Sequence, residues 1–330
     1  MKKAALFLFA AVLTALAGCS MAGMVASPYT YENAAVYSAG DALIAQEITR
    51  IDVDWVSGDV IMEEYEGGEI VLSETADKPI EDSLVMRWSV DGSALLIRFA
   101  ENGANLPGNT KKQLTVMIPE GLNLDILQIT TVSANVDIAS AYAANAVIST
   151  VSGDISVGPA WLNNAFFNTE SGNVRLGEMY AYEAYFSTVS GNALLQRSDI
   201  PYVLAFTSVS GNLEGELGGD LAELRISTVS GDIDLEADDI DQFDIDATSG
   251  KIALTLGNAP KKGFADMVSA SLSMAIPEDA SFKVFFESAS GDFESEIPVS
   301  GADGLYTAGD GANSYQFTSA SGDMKIKISK

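Results

Sequence analysis

Between residues 126 and 257 apolar and polar side chains alternate by two, break at a short polar turn and then alternate again. The pattern aligns on one serine of that turn, at Ser133, Ser152, Ser171, Ser190, Ser210, Ser230 and Ser249, so the step is always 19 or 20 residues. Four residues before the serine stand Ile129, Ile148, Phe167, Phe186, Phe206, Ile226 and Ile245. Three after it stand Val136, Ile155, Val174, Ala193, Leu213, Ile233 and Ile252. The positions between carry Asp137, Ser156, Arg175, Glu214 and Asp234. A period of two on both flanks predicts strands with one buried face. A fixed repeat of that composition predicts a solenoid whose rungs stack on one another. Each rung reads as strand, corner, strand and then a variable return such as residues 158–166.

The corners are Ser152-Gly153-Asp154, Ser171-Gly172-Asn173, Ser190-Gly191-Asn192, Ser210-Gly211-Asn212 and Ser230-Gly231-Asp232. Their glycines are expected to turn the chain through positive φ, and the Asp and Asn side chains to bond backbone groups freed at the bend and to form ladders. Thr131, Thr150, Thr169, Thr188, Ser208 and Thr228, two before each serine, have inward parity. They are expected to satisfy one another's hydroxyls up the stack. A motif that recurs in every rung marks a structural corner, because a catalytic constellation needs one copy. Looser copies lie at Ser57, Ser290 and Ser321.

The predicted fold class is therefore all-β: a single-chain parallel β-solenoid, or β-helix, of 19–20 residues per rung. It is right-handed by the preference of parallel crossovers, with irregular β caps that protect the end rungs from edge pairing. The segments expected are residues 1–18 as a signal peptide, 19–40 as a tether, 41–125 as an N-terminal cap with the first rung, 126–257 as regular repeats, and 258–330 as C-terminal rungs and cap.

Charge and the N-terminal segment add a location. The chain of 330 residues has 18 Lys and Arg against 46 Asp and Glu, and no His. A net charge of −28 opposes binding to nucleic acid or anionic headgroups. The basic Lys2 and Lys3, the apolar run that follows and "LAGC" at residues 16–19 match a lipoprotein signal peptide in which Cys19, the only cysteine, is lipidated. The alternative is cleavage before Gly23 with Cys19 discarded. On the first reading the protein is exported and anchored through its lipid to the outer face of a bacterial membrane, with no disulfide available.

The runs "ITRIDVDWVSGDVIMEE" (48–64), "LTVMIPEGLNLDILQITTVSANVDI" (114–138), the "TVSGDI" rungs and "YQFTSASGDMKIKI" (315–328) resemble the bacterial "putative adhesin" β-strand-repeat domains of unknown function. The resemblance covers about residues 41–330. It implies a surface-associated β-solenoid, often anchored. No catalytic residue is defined for that family, so none is carried over.

Candidate chemistry is thin. Asp234, Glu236, Asp244 and Asp246 belong to an acid-rich run, 232–246, that offers oxygen ligands for calcium. An acidic solvated face is the alternative. Trp161, Phe166 and Tyr185 are candidates for stacking a glycan or protein partner. Ser-His-Asp and Cys-His catalysis are excluded by the absence of His and the lipidation of Cys19. The expectation is a non-catalytic, adhesin-like binding or scaffolding module of the cell envelope, with no cofactor. The alternatives are a polysaccharide-active β-helical enzyme and a structural or stress-signalling envelope component.

Overall fold

The computed structural model describes residues 28–107 and 110–329. Its 26 strands join into one continuous sheet wound on itself, with two 3-10 turns and no α-helix among the described residues. The all-β, mostly parallel architecture agrees with the alternation in the sequence.

One rung shows how the alternation becomes structure. Strand Ala160–Thr169 pairs in parallel with Ala141–Thr150 on one side and Met179–Thr188 on the other. The next strand, Val174–Leu176, pairs with Ile155–Val157 and Ala193–Asp199. Register partners such as Ala141, Ala160 and Met179 stand 19 apart. Within Ala160–Thr169 the buried and outward positions alternate up to Leu162, slip at Asn163 and Asn164, and then resume. Asn163 drops out of the pairing register there, so the strand bends. The segment expected to be a variable return is thus a third side of the rung, residues 160–162. All three sides turn apolar side chains inward: Leu162, Phe167, Val174 and Leu176 are buried, and Phe167 stacks on Phe186 with ring centroids 5.2 Å apart.

The corners hold by interactions between neighbouring backbones. Ser152 donates its N–H to the Val132 carbonyl at 3.0 Å and its hydroxyl to the same oxygen at 3.4 Å, and Ser171 treats Val151 likewise. One residue past the glycine, a side-chain oxygen accepts the N–H of the next rung. Asn135 accepts from Asp154 at 3.1 Å, Asp154 from Asn173 at 2.8 Å and Asn173 from Asn192 at 3.2 Å. The ladder continues through Asn212 and Asp232 to Lys251.

Two expectations for the corner are corrected. The glycines at 153, 172, 191, 211 and 231 do not have positive φ; among the Ser-Gly corners only Gly58 (φ 99°) and Gly250 (φ 113°) do. Glycine is required for another reason: a Cβ at Gly172 would overlap the carbonyl oxygen of Gly153, and one at Gly191 that of Gly172. The threonines mostly do not bridge rungs either. Thr150, Thr169, Thr188 and Thr228 each accept the N–H of their own corner glycine at 2.8–2.9 Å. The contact between rungs is Ser208 with Thr228, at 2.9 Å. A buried hydroxyl three residues away reaches the glycine N–H sooner than it reaches the neighbouring rung. A further corner, unrecognised in the sequence, sits at Ser269, whose N–H donates to the Thr248 carbonyl at 2.7 Å. Ala270 stands where the glycine would be and hid it.

Both ends are threaded out of chain order. The first long strand, Arg50–Tyr65, lies between Asn123–Ile138 on one side and Ala94–Arg98 with Lys112–Pro119 on the other. Antiparallel strands Ile70–Ala76 and Arg87–Asp91 complete that cap. At the other end Asn313–Ser319 slots between Lys262–Met267 and Phe282–Ser288, and Met324–Ile328 between Ser271–Ile276 and Phe293–Ser295. The last rung in the sequence is therefore the penultimate rung in the stack. Tyr315, Phe317, Met324 and Ile326 are fully buried by it.

Two predictions follow from this packing. Gly191→Ala should cost about 2 kcal/mol or more through overpacking, and Thr188→Val about 1–3 kcal/mol through the unpaired Gly191 N–H; urea unfolding measures both, and wild-type stability in either would contradict the corner geometry. In amide exchange, Met324–Ile328, paired on both sides, should be protected like the central strands. Phe293–Ser295, paired on one side although earlier in the chain, should exchange faster.

Candidate binding surface

The outward positions bring aromatic rings of neighbouring rungs into register. Tyr142 and Trp161 stack with centroids 4.9 Å apart and planes within 3°. Phe166 and Tyr185 stack at 4.9 Å and 7°, and Tyr182 and Tyr202 at 5.0 Å and 6°. These spacings are close to the rung repeat, about 4.8 Å. Parallel pairing aligns Tyr142 with Trp161 and Phe166 with Tyr185, whereas Tyr182 and Tyr202 meet at the bend, outside the ladder, where the Tyr202 N–H donates to the Tyr182 carbonyl at 3.2 Å. Trp161, Tyr182 and Tyr202 are roughly half exposed, whereas Phe166 and Tyr185 are partly buried. The bend at Asn163 and Asn164 separates two groups the sequence placed together: Trp161 lies on the 160–162 side, and Phe166 and Tyr185 beyond the bend. Tyr185 donates its hydroxyl to Glu183 at 2.7 Å, and burial, followed by Glu183, pushes its ionisation up to about 12.

Beside Trp161 the same side opens into a groove of about 530 Å³, with Tyr180, Glu178, Arg197, Asp199, Gly218, Gly219 and Asp238 in its lining. Two irregularities shape it. The register shifts between Leu195 and Ser198 and again between Leu217 and Asp220. Arg197 (φ 47°) and Gly219 (φ 72°) sit at these bulges in the left-handed region, and bulges re-aim side chains. Asp199 and Asp238 converge on Gly219: its N–H donates to Asp238 Oδ2 at 3.3 Å, and a Cβ there would lie 3.0 Å from Asp199 Oδ1. The sequence reading missed this groove. Its only trace in the sequence is the lengthening of the step from 19 to 20 at Ser210 and Ser230.

The acidic candidates are not brought together. Asp234 and Glu236 flank the side that follows the corner, in register with Ala253 and Thr255. Asp244 and Asp246 lie past the next bend, in register with Phe264 and Asp266. All four point outward. Among the described residues no group of three or more His, Cys, Asp or Glu is placed to hold a metal ion. Cys19 and the rest of the lipoprotein signal lie outside the described residues, and no helix among the described residues is long and apolar enough to cross a membrane.

The N-terminal cap contains a buried cation. Lys112 is fully buried, donates to the carbonyls of Leu84 (2.6 Å) and Phe99, pairs with Glu74 at 2.6 Å, and lies over the rings of Trp55 and Phe99, 4.8 and 4.0 Å from their centroids. Burial lowers its pKa from 10.5 to about 8, against the opposing pull of Glu74. It is enclosed, so its role is to hold the cap together.

Parallel rungs, corner ladders and inward apolar columns define an all-β repeat protein of solenoid type. The chain belongs to the Toastrack DUF4097 family, whose model matches residues 48–250 and, overlapping, 185–327. Among solved structures it is similar to a "putative lipid binding protein" from Parabacteroides distasonis ATCC 8503, at 19% identity and TM-score 0.46, covering 88% of this chain and 97% of that one. It is also similar to a "putative adhesin" from the same organism, at 13% identity and TM-score 0.43, covering 88% and 96%. A "putative adhesin" from Bacteroides fragilis NCTC 9343 matches at 12% identity and TM-score 0.34, covering 88% and 96%. No curated protein matches the sequence.

The Lys112 environment predicts a pH dependence. With a folded pKa below the unfolded one, the cost of burying the charge is present in full below about 8 and fades as pH rises toward 10.5. The urea midpoint of the wild type should therefore rise across that window relative to that of a Lys112→Met, Glu74→Gln double variant, the comparison cancelling the opposite trend of the buried Tyr29 and Tyr315, whose ionisation burial pushes up. A difference between the two midpoints that stays constant across the window would sink the assignment.

Proposed function

We propose that the protein is a non-catalytic, adhesin-like binding module of the bacterial cell envelope. It is exported, and held by a lipid on Cys19 to the outer face of a membrane, with residues 19–40 as the tether. Its partner is an envelope glycan or protein, and nucleic acid is disfavoured by the charge of −28. A right-handed winding with 19–20 residues per rung belongs to the same reading. The observation that carries it is the set of stacked aromatic pairs on the outer surface, Tyr142–Trp161 and Tyr182–Tyr202 above all. A flat ring pair on a rigid sheet loses little conformational entropy when a ligand stacks against it. Its affinity then comes from presentation rather than from bond-making chemistry.

The test passes the purified protein over immobilised envelope and host glycans and scores retention, new reducing ends and unsaturated sugars together. Retention without product is expected, reduced at least tenfold when Trp161, Tyr182 and Tyr202 are all changed to Ala. Product release would replace this reading with that of a polysaccharide-active enzyme. Absence of retention on glycans and on whole cells alike would replace it with a structural or stress-signalling role.

A further inference from the structure

The outward column on the 160–162 side changes character along the stack. In register it runs Asn123, Tyr142, Trp161, Tyr180, Asp199 and Gly218. Tyr142 covers one side of the Trp161 indole. Tyr180 is in register on the other side, and it and Trp161 both line the groove. The wall then turns from aromatic to carboxylate at Asp199, and the floor falls away at Gly218 and Gly219, which have no side chains. Asp238 closes the far end. Arg197, thrown outward by its bulge, has no ion pair among the described residues and is exposed on the same rim.

We infer that this groove is a binding site for a neutral pyranose of an extended glycan, an inference that rests on the binding-module reading above. The parts match that ligand. Trp161 and Tyr180 offer apolar surface to the C–H face of a sugar ring, Asp199 and Asp238 accept hydrogen bonds from its hydroxyls, and the Arg197 guanidinium donates to a ring or acyl oxygen. The groove runs along the stack, and the rung repeat of about 4.8 Å is close to the length of one pyranose unit, so a chain lying along it meets one rung per sugar. Charge decides between neutral and acidic glycans. Glu178, Asp199 and Asp238 outnumber Arg197 in the lining, and the whole chain carries −28, so a uronate chain is repelled.

The full chain is titrated with three hexasaccharides, of β-1,4-linked glucose, β-1,4-linked N-acetylglucosamine and α-1,4-linked galacturonate. Calorimetry and tryptophan emission give the readout. Of the three tryptophans, Trp55 is fully buried, Trp88 is partly buried and Trp161 is half exposed, so a sugar over Trp161 shifts the emission to the blue. At least one neutral hexamer should bind saturably with that shift, and galacturonate at least tenfold more weakly. Trp161→Ala should weaken binding at least tenfold. Gly218→Gln should do the same while leaving the melting temperature unchanged, because a Cβ at Gly218 meets no heavy atom within 4 Å and its φ lies outside the left-handed region. The inference is overturned if neither neutral hexamer binds at millimolar concentration, if binding survives both substitutions, or if galacturonate is preferred. Retention on envelope material that persists in both variants would leave the binding-module reading standing without this site.

Discussion

The whole molecule depends on how closely two backbones approach at the Ser-Gly corner. Each carbonyl oxygen sits where the next glycine would carry its Cβ, so the corners nest and the strands leaving them fall into register on both sides. Once that approach is made, the rest follows with little further specification. The Asn and Asp ladder satisfies the outer N–H groups, the threonine hydroxyl satisfies the inner one, and inward residues stack on their counterparts. The fold is held by one small contact repeated. No disulfide links two parts of this sequence, which has a single cysteine.

The same repetition explains both what is rigid on the surface and what is distinctive. The flat pairs Tyr142–Trp161 and Phe166–Tyr185 are a by-product of parallel registration, since side chains paired on neighbouring rungs are carried to matching positions. A groove needs the registration to be broken locally. The bulges at Arg197 and Gly219 do that, so the two successive lengthened steps, to Ser210 and Ser230, fall where carboxylates, a guanidinium and a bare floor come together. Nothing of the kind interrupts the side that carries Phe166 and Tyr185.

Alternation around Ser152 and Ser171 was enough to read strand, corner and inward parity, because a two-residue period has only one consistent burial. It did not reveal the third side, since residues 160–162 are too short to show a period and the bend at Asn163 reverses the parity. Composition could identify glycine at Gly172 as obligatory but not why; positive φ and close approach leave the same letter in the sequence. Ser269 escaped because Ala270 broke the motif. Trp161 was legible as a candidate stacking ring but not as the exposed one, since the outward parity read for Phe166 and Tyr185 belongs to partly buried rings, and Asp238 lies two rungs from Arg197 and Asp199 with no sequence neighbourhood in common. The threading at the ends was invisible for a physical reason: chain order and stacking order agree everywhere in the middle, and nothing in "YQFTSASGDMKIKI" says which two rungs it lies between.

That threading sets a timetable. During synthesis the rungs through Ser271–Ile276 and the later segment Phe282–Ser295 are made before the strand that separates them. Those two segments cannot settle against each other without forming the wrong neighbour pair. The solenoid therefore completes only when residues 313–328 have been made, and a ribosome that stops short leaves a molecule with two open, mutually adhesive edges. Residues 313–328 thus act as a keystone, and that role is carried by the order of stacking rather than by any chemical signal.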